Sequence, residues 1–156
     1  MAQALTANVT ITARESSSEG DRALQDKTSI NAALAFLDAT GALGAPKVFA
    51  DNRVLNTTTE NIDLSGALAS GLGTAVVFTK VRLIFVRWNG LGTLTASGAG
   101  ASGAAAVLGA EPVGPGGIIF KASPDAGGMA VTAASADILA ITTTGAGDYD
   151  IVIAGE

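Results

Sequence analysis

The 156 residues of the chain include no cysteine and no histidine. Without cysteine, neither a disulfide nor thiolate chemistry is available, and the redox compartment is left open. Without histidine, the usual general base, the commonest metal ligand and every histidine-dependent triad are missing. Charge is scarce as well: charged residues make up 15% and the formal net charge is -5, so the surface offers no general attraction to nucleic acid or to an anionic membrane. Long apolar runs are also absent. The longest, AVVFTKVRLIFVRW from Ala75 to Trp88, is interrupted by Lys80, Arg82 and Arg87, and is too short and too charged to be a membrane helix. The opening residues lack a basic stretch followed by an apolar core, so they do not read as a secretory signal.

What is present points to a β-rich fold. Apolar residues reach 48% and β-branched runs recur, which favours a packed core over disorder. The 20 glycines follow no Gly-X-Y period, which excludes collagen. The length suits one core, so residues 1–156 are expected to form a single β-rich domain, with residues 1–28 as a first strand and an exposed arm. Val9 and Ile11 alternate with Thr10 and Thr12 in that strand. Thr28 to Gly41 (TSINAALAFLDATG) is the best helix stretch, since Ile30, Ala33, Leu34 and Leu37 recur near helical spacing and Gly41 supplies a stop; a strand and loop is the competing reading. Further strands are expected near Val48–Leu55, Asn61–Leu64, Gly92–Gly100 (a short strand leading into small residues), Ile118–Phe120, Met129–Ala133, Ile138–Ile141 and Tyr149–Ile153. Thr74 to Gly90 carries the strongest signal and reads as one long strand. Val77, Val81, Leu83 and Phe85 fall on one face, and Val76, Phe78, Ile84, Val86 and Trp88 on the other. Turns are expected at Asn89-Gly90, Pro115-Gly116-Gly117 and Pro124-Asp125.

Eight to ten short strands with at most one short helix predict an antiparallel β-sandwich, with a jelly roll or a partly rolled barrel as its form. The expected core is Ile62, Leu64, Val81, Leu83, Phe85, Ile118, Phe120, Ile138, Ile151 and Ile153. With apolar residues on both faces of Thr74–Gly90, one face enters a core. The other either meets a second copy of the chain or is covered by the same chain. The first option places Val76, Phe78 and Trp88 at an oligomer interface.

No stretch calls for a catalytic residue, a cofactor or a metal. Asp125, Asp137, Asp148 and Asp150 do not form a calcium loop, although Asp148 and Asp150 would share a face of an extended strand. Ser16-Ser17-Ser18 is a polar loop rather than a nucleophile, and no GxSxG elbow occurs. SGLGTA and GAGASGAAA lack the lysine of a phosphate loop. Arg82, Arg87 and Trp88 have the chemistry to anchor a ligand, but Arg87 and Trp88 face opposite sides of a regular strand, so packing is expected. Asn8 and Asn56 begin sequons, which matter only after secretion.

The ordered segments NIDLSGAL, FTKVRLIFV, PVGPGG, PDAGGMAVT, DILAI and YDIVIAG, between Asn61 and Gly155, resemble small structural proteins of tailed bacteriophages. The resemblance implies a noncatalytic virion component. Its leading form is a capsid decoration or cement protein, made in the host cytoplasm and bound to the outer capsid surface. A tail, baseplate or connector protein is the alternative, and a carbohydrate-binding module is a third. The partners implied are the chain itself as a homo-oligomer, a trimer by preference, and the major capsid protein or other virion proteins. Neither direct nucleic-acid contact nor a membrane is expected.

Overall fold

The computed structural model describes residues 5–19, 22–36, 45, 47–56, 58–69, 75–98, 102–123 and 128–156. Thirteen strands occur among them and no helix. The first two, β1 (Leu5–Glu19) and β2 (Arg22–Phe36), pair antiparallel along their whole length, from Leu5 opposite Phe36 to Glu19 opposite Arg22. The expected strand at Val9–Thr12 lies within β1. The expected helix over Thr28–Gly41 is corrected: residues 28–36 belong to β2, and 37–41 lie outside the described residues. Ala, Leu and Ile at that spacing satisfy either structure, and a partner strand in register supplies the ladder that decides between them.

The remaining strands are β3 (Lys47–Asn56), β4 (Thr59–Asp63), β5 (Leu68–Ala69), β6 (Ala75–Val76), β7 (Lys80–Trp88), β8 (Leu94–Ser97), β9 (Ala110–Val113), β10 (Ile118–Ala122), β11 (Met129–Ala130), β12 (Ile138–Thr143) and β13 (Ala146–Gly155). A front sheet runs β10-β7-β13-β3, with β11 also on β7; a back sheet runs β4-β12-β8-β9; β5 and β6 form a small ribbon. All the ladders are antiparallel. The main pairings are nested. β3 pairs with β13, β4 with β12, β7 with β10, and β8 with β9, so the outermost strands of this set pair with each other and the innermost likewise. That is one long hairpin folded over on itself into two layers. At its open end Lys47 stands opposite Gly155.

The layers meet through one core. Phe49, Val81, Ile84, Val86, Trp88, Tyr149, Ile151 and Ile153 from the front sheet join Ile62, Leu94, Ala96, Leu139 and Ile141 from the back sheet, and Leu64 just after β4 joins them. At about 25 cal/mol per Å² of apolar area removed from water, this burial is the main force holding the sheets together. Ile62, Leu64, Val81, Ile151 and Ile153 are thus core residues as expected. Leu83 is buried as expected, though in a second cluster, and the other four expected positions are corrected. Ile118 and Phe120 are 56% and 39% exposed, and buried Ile119 between them takes the core position. Ile138 is half-buried while Leu139 and Ile141 are fully buried. Leu83 and half-buried Phe85 point to the other face of the front sheet, where Leu83 clusters with Ala45 and Ala154.

One irregularity explains the mixed phase of Thr74–Gly90. The segment is broken after β6, and β7 is shifted in register against β13: Ala154 faces Leu83, but Gly155 faces Val81. Arg82 is the extra residue of this bulge. An extra residue inverts the alternation, so Val81 joins Ile84 and Val86 in the core. The turns also follow chemistry. Gly117 N–H donates to Gly114 O at 2.9 Å, and Gly116 has φ +74° after Pro115, the pattern of a type II turn that demands glycine. The Pro124-Asp125 turn lies outside the described residues.

Candidate interaction surface

The three residues that the sequence assigns to an oligomer interface lie inside this chain. Val76 is 8% exposed, Phe78 1% and Trp88 0%, all in the main core. The face of residues 75–88 expected to meet a second copy is covered by the back sheet of the same chain. Trp88 Nε1–H donates to Gly92 O at 3.3 Å, which satisfies its only polar atom.

Where the chain passes between the sheets, the two lateral edges differ. At the β3–β4 crossing, Arg53 Nη1 is ion-paired with Glu60 Oε1, and the Tyr149 hydroxyl donates to Glu60 Oε2 at 2.8 Å. Burial, then the bond to Glu60, raises the Tyr149 pKa well above the ordinary phenol range. This edge is sealed by a polar network. At the β9–β10 crossing, the edge stays open as a cleft of about 320 Å³ lined by Leu108, Glu111, Pro112, Val113 and residues 118–121.

The outer face of the front sheet begins at that cleft. Register places its residues in rows across the strands. One row is Val48, Ala154, Leu83 and Ala122, and Ala45 packs against it. The next is Ala50, Val152, Phe85 and Phe120. Here Ala50 and Phe120 are exposed, Val152 and Phe85 are half-buried, and Ile118 extends the patch toward the following row. These residues form an apolar stripe across four strands, from one edge of the sheet to the other.

The row beyond the stripe is polar. Asp148 and Asp150 share this face, as their spacing requires. Asn52 Nδ2 donates to Asp150 Oδ1 at 2.9 Å and to Asp148 Oδ2 at 3.3 Å. Asn89 Nδ2 donates to Asp148 Oδ2 at 2.9 Å and to Asp150 Oδ2 at 3.1 Å. Arg87 Nη2 lies 2.6 Å from Asp150 Oδ2. The amides of Asn89 and Asn52 hold Asp148 below the ordinary carboxylate range, and those of Asn52 and Asn89, with Arg87, do the same for Asp150. The pair is a brace across β3, β13 and the end of β7. Among the described residues no group of three or more His, Cys, Asp or Glu is placed to hold a metal ion. Asp137 is used locally: Ser65 Oγ–H and Ala134 N–H both donate to its Oδ2, at 2.8 and 2.6 Å. Asp125 lies outside the described residues.

Sequence reasoning did not find the stripe, because Ala50, Phe85, Phe120 and Val152 become neighbours only once the strand order is known. Arg82 is buried rather than available to a ligand, and Arg87 is committed to Asp150. No helix among the described residues is long and apolar enough to cross a membrane. Comparison with family models, curated proteins and solved structures finds no match.

Proposed function

We propose that this chain is a noncatalytic structural protein of a tailed-bacteriophage virion, bound in many copies to the outer capsid surface as a decoration or cement protein. The observation that carries the reading is the nested pairing of β3–β13, β4–β12, β7–β10 and β8–β9. A long hairpin rolled into two four-strand layers is the jelly roll, an architecture shared by viral capsid and lectin domains. We assign that fold to the body of the chain. The apolar stripe supports assembly over catalysis, since its chemistry suits a protein partner, either another copy or the major capsid protein. A trimer matches the local threefold positions of a capsid. The lectin branch of the same fold is less favoured. Sugar recognition draws on exposed rings with polar edges, whereas the single Trp and single Tyr are both at 0% exposure. The rings that reach the stripe are Phe85 and Phe120.

Cryo-electron microscopy of intact particles tests the reading. Density for this fold repeated over the capsomers is expected. Density confined to the tail, baseplate or connector would move the chain to the alternative role, and absence from the particle would remove the virion reading altogether.

A further inference from the structure

We propose that Asn89 is a site of spontaneous modification, converting to aspartate and isoaspartate by attack of the Gly90 amide nitrogen, and that the Asp148–Asp150 brace holds this reaction in check. The inference does not depend on where the protein sits in a particle.

The chemistry starts in the sequence. Asn89 alone among the asparagines is followed by glycine. Glycine has no Cβ to obstruct attack by its own nitrogen and has the widest backbone freedom, so an Asn-Gly pair closes on itself most readily. In the reaction the Gly90 nitrogen loses its proton and bonds to Asn89 Cγ. The Cγ–Nδ2 bond breaks, and Nδ2 leaves as ammonia. Water then opens the succinimide at either carbonyl. One opening restores the ordinary chain with aspartate; the other leaves an isoaspartyl chain, longer by a methylene.

The structure supplies the reactants and the restraint together. Asn89 is exposed, and among the described residues the Gly90 N–H meets no acceptor. Against this, the amide that must turn toward Gly90 is bound. Its Nδ2 donates to Asp148 Oδ2 at 2.9 Å and to Asp150 Oδ2 at 3.1 Å. The backbone is fixed on both sides as well: Asn89 N–H donates to Asp148 O at 2.9 Å, and Leu91 N–H to Ala146 O at 3.0 Å. Gly90 itself is wedged, since a Cβ there would lie 2.3 Å from the Trp88 ring and 2.6 Å from Gly147 Cα. Ring closure therefore requires local opening at the end of β7.

Completion removes the restraint. Where Nδ2 donated, the product carries an acceptor oxygen beside the oxygens of Asp148 and Asp150. Three carboxylates then share the donors Asn52 and Arg87 and repel one another. The isoaspartyl form also adds length where Trp88 and Gly147 leave no space. The reaction is thus a one-way ratchet: opening permits it, and its product favours opening. Asn52 provides the contrast. It donates to the same two carboxylates, but Arg53 follows it, and a side chain at that position obstructs the attack.

Purified full-length protein held in mildly alkaline buffer, folded or unfolded in urea, tests this by peptide mapping. In urea, Asn89 is expected to convert while Asn52 stays intact. In the folded protein, conversion at Asn89 is expected to be slower by roughly tenfold or more, in step with rare opening. Hydroxylamine, which cleaves the chain at a succinimide, should cut between Asn89 and Gly90 in urea and spare the folded protein. No conversion in urea would remove the site, and equal rates in the two states would remove the restraint. Asp148→Ala with Asp150→Ala tests the brace. Its folded-state rate is expected to exceed, by roughly threefold or more, that of wild type brought to the same global stability with urea. Equal rates would show that the brace is not the lock. Asn89→Asp copies the product. It should unfold at lower urea than Asn89→Ala, which loses the donor without gaining a charge; an equal or higher midpoint would overturn the ratchet.

Discussion

At the residue scale, close packing surrounds Trp88. A Cβ on Gly147 would come within 2.1 Å of Gly90 Cα, and one on Gly90 within 2.3 Å of the Trp88 ring. The two glycines are thus kept by space, and Asn89-Gly90, which reads as a turn signal, also serves as a seat for an indole. Gly147→Ala is expected to destabilise the fold by about 1–3 kcal/mol through overpacking, read from urea unfolding with the single Trp as reporter; an unchanged midpoint would contradict this packing. The acidic brace gives a prediction in pH. Asp148 and Asp150 have folded-state pKa values below their ordinary ones. Their contribution is therefore present above about pH 4 and lost as pH falls through the depressed values. Tyr149 is shifted the other way: its folded value is raised, so its contribution holds below about pH 10 and is lost above it. The double variant Asn52→Ala, Asn89→Ala should lose less stability than wild type between neutral pH and acid, because the depressed carboxylates have lost their donors. Parallel stability-against-pH curves would remove the brace. The shared face of Asp148 and Asp150 was legible from spacing alone. Their amide partners were not, because Asn52 and Asn89 lie on other segments of the chain.

At the element scale, strand existence was far easier to read than strand phase. β3, β4, β12 and β13 follow the alternation of Val48–Leu55, Asn61–Leu64, Ile138–Ile141 and Tyr149–Ile153. Phase fails where both alternating sets are apolar. Ile118-Ile119-Phe120 offers two equally greasy choices, and the neighbours on β7 decide that Ile119 faces in. Ile138-Leu139 is the same case. In β7 a bulge inverts the phase, and no local residue announces it. In β2 a run of Ala, Leu and Ile fits helix and strand alike until its partner is known. The phase of β10 is directly testable. Ile119→Ala should cost about 2–4 kcal/mol of stability, as a buried large-to-small change. Phe120→Ala should cost under about 1 kcal/mol, being partly exposed already. Denaturation midpoints of the two variants would expose a reversed order, and a reversed order would mean β10 is turned over.

At the scale of the whole molecule, nested pairing fixes direction as well as shape. Lys47 and Gly155 are opposed in one ladder, so the chain enters and leaves the body at one end of the front sheet. The Gly114–Gly117 turn, the bend at Leu91–Gly92 and the one at Thr144–Gly145 lie at the other end, and Leu91 there is 73% exposed. The molecule is therefore polar in the navigational sense, with a bow and a stern. A peptide tag joined after Glu156 would emerge beside Lys47 and Lys80, at the stern. The same tag spliced between Gly114 and Pro115 would point away, tethered only by a surface turn. Tagged at the turn, the protein should keep the denaturation midpoint of the untagged chain; tagged after Glu156, whose backbone bonds Thr79 and Lys80, it should lose some stability, and the midpoints of the two fusions would show whether the order is reversed. Cargo meant for display belongs at the bow.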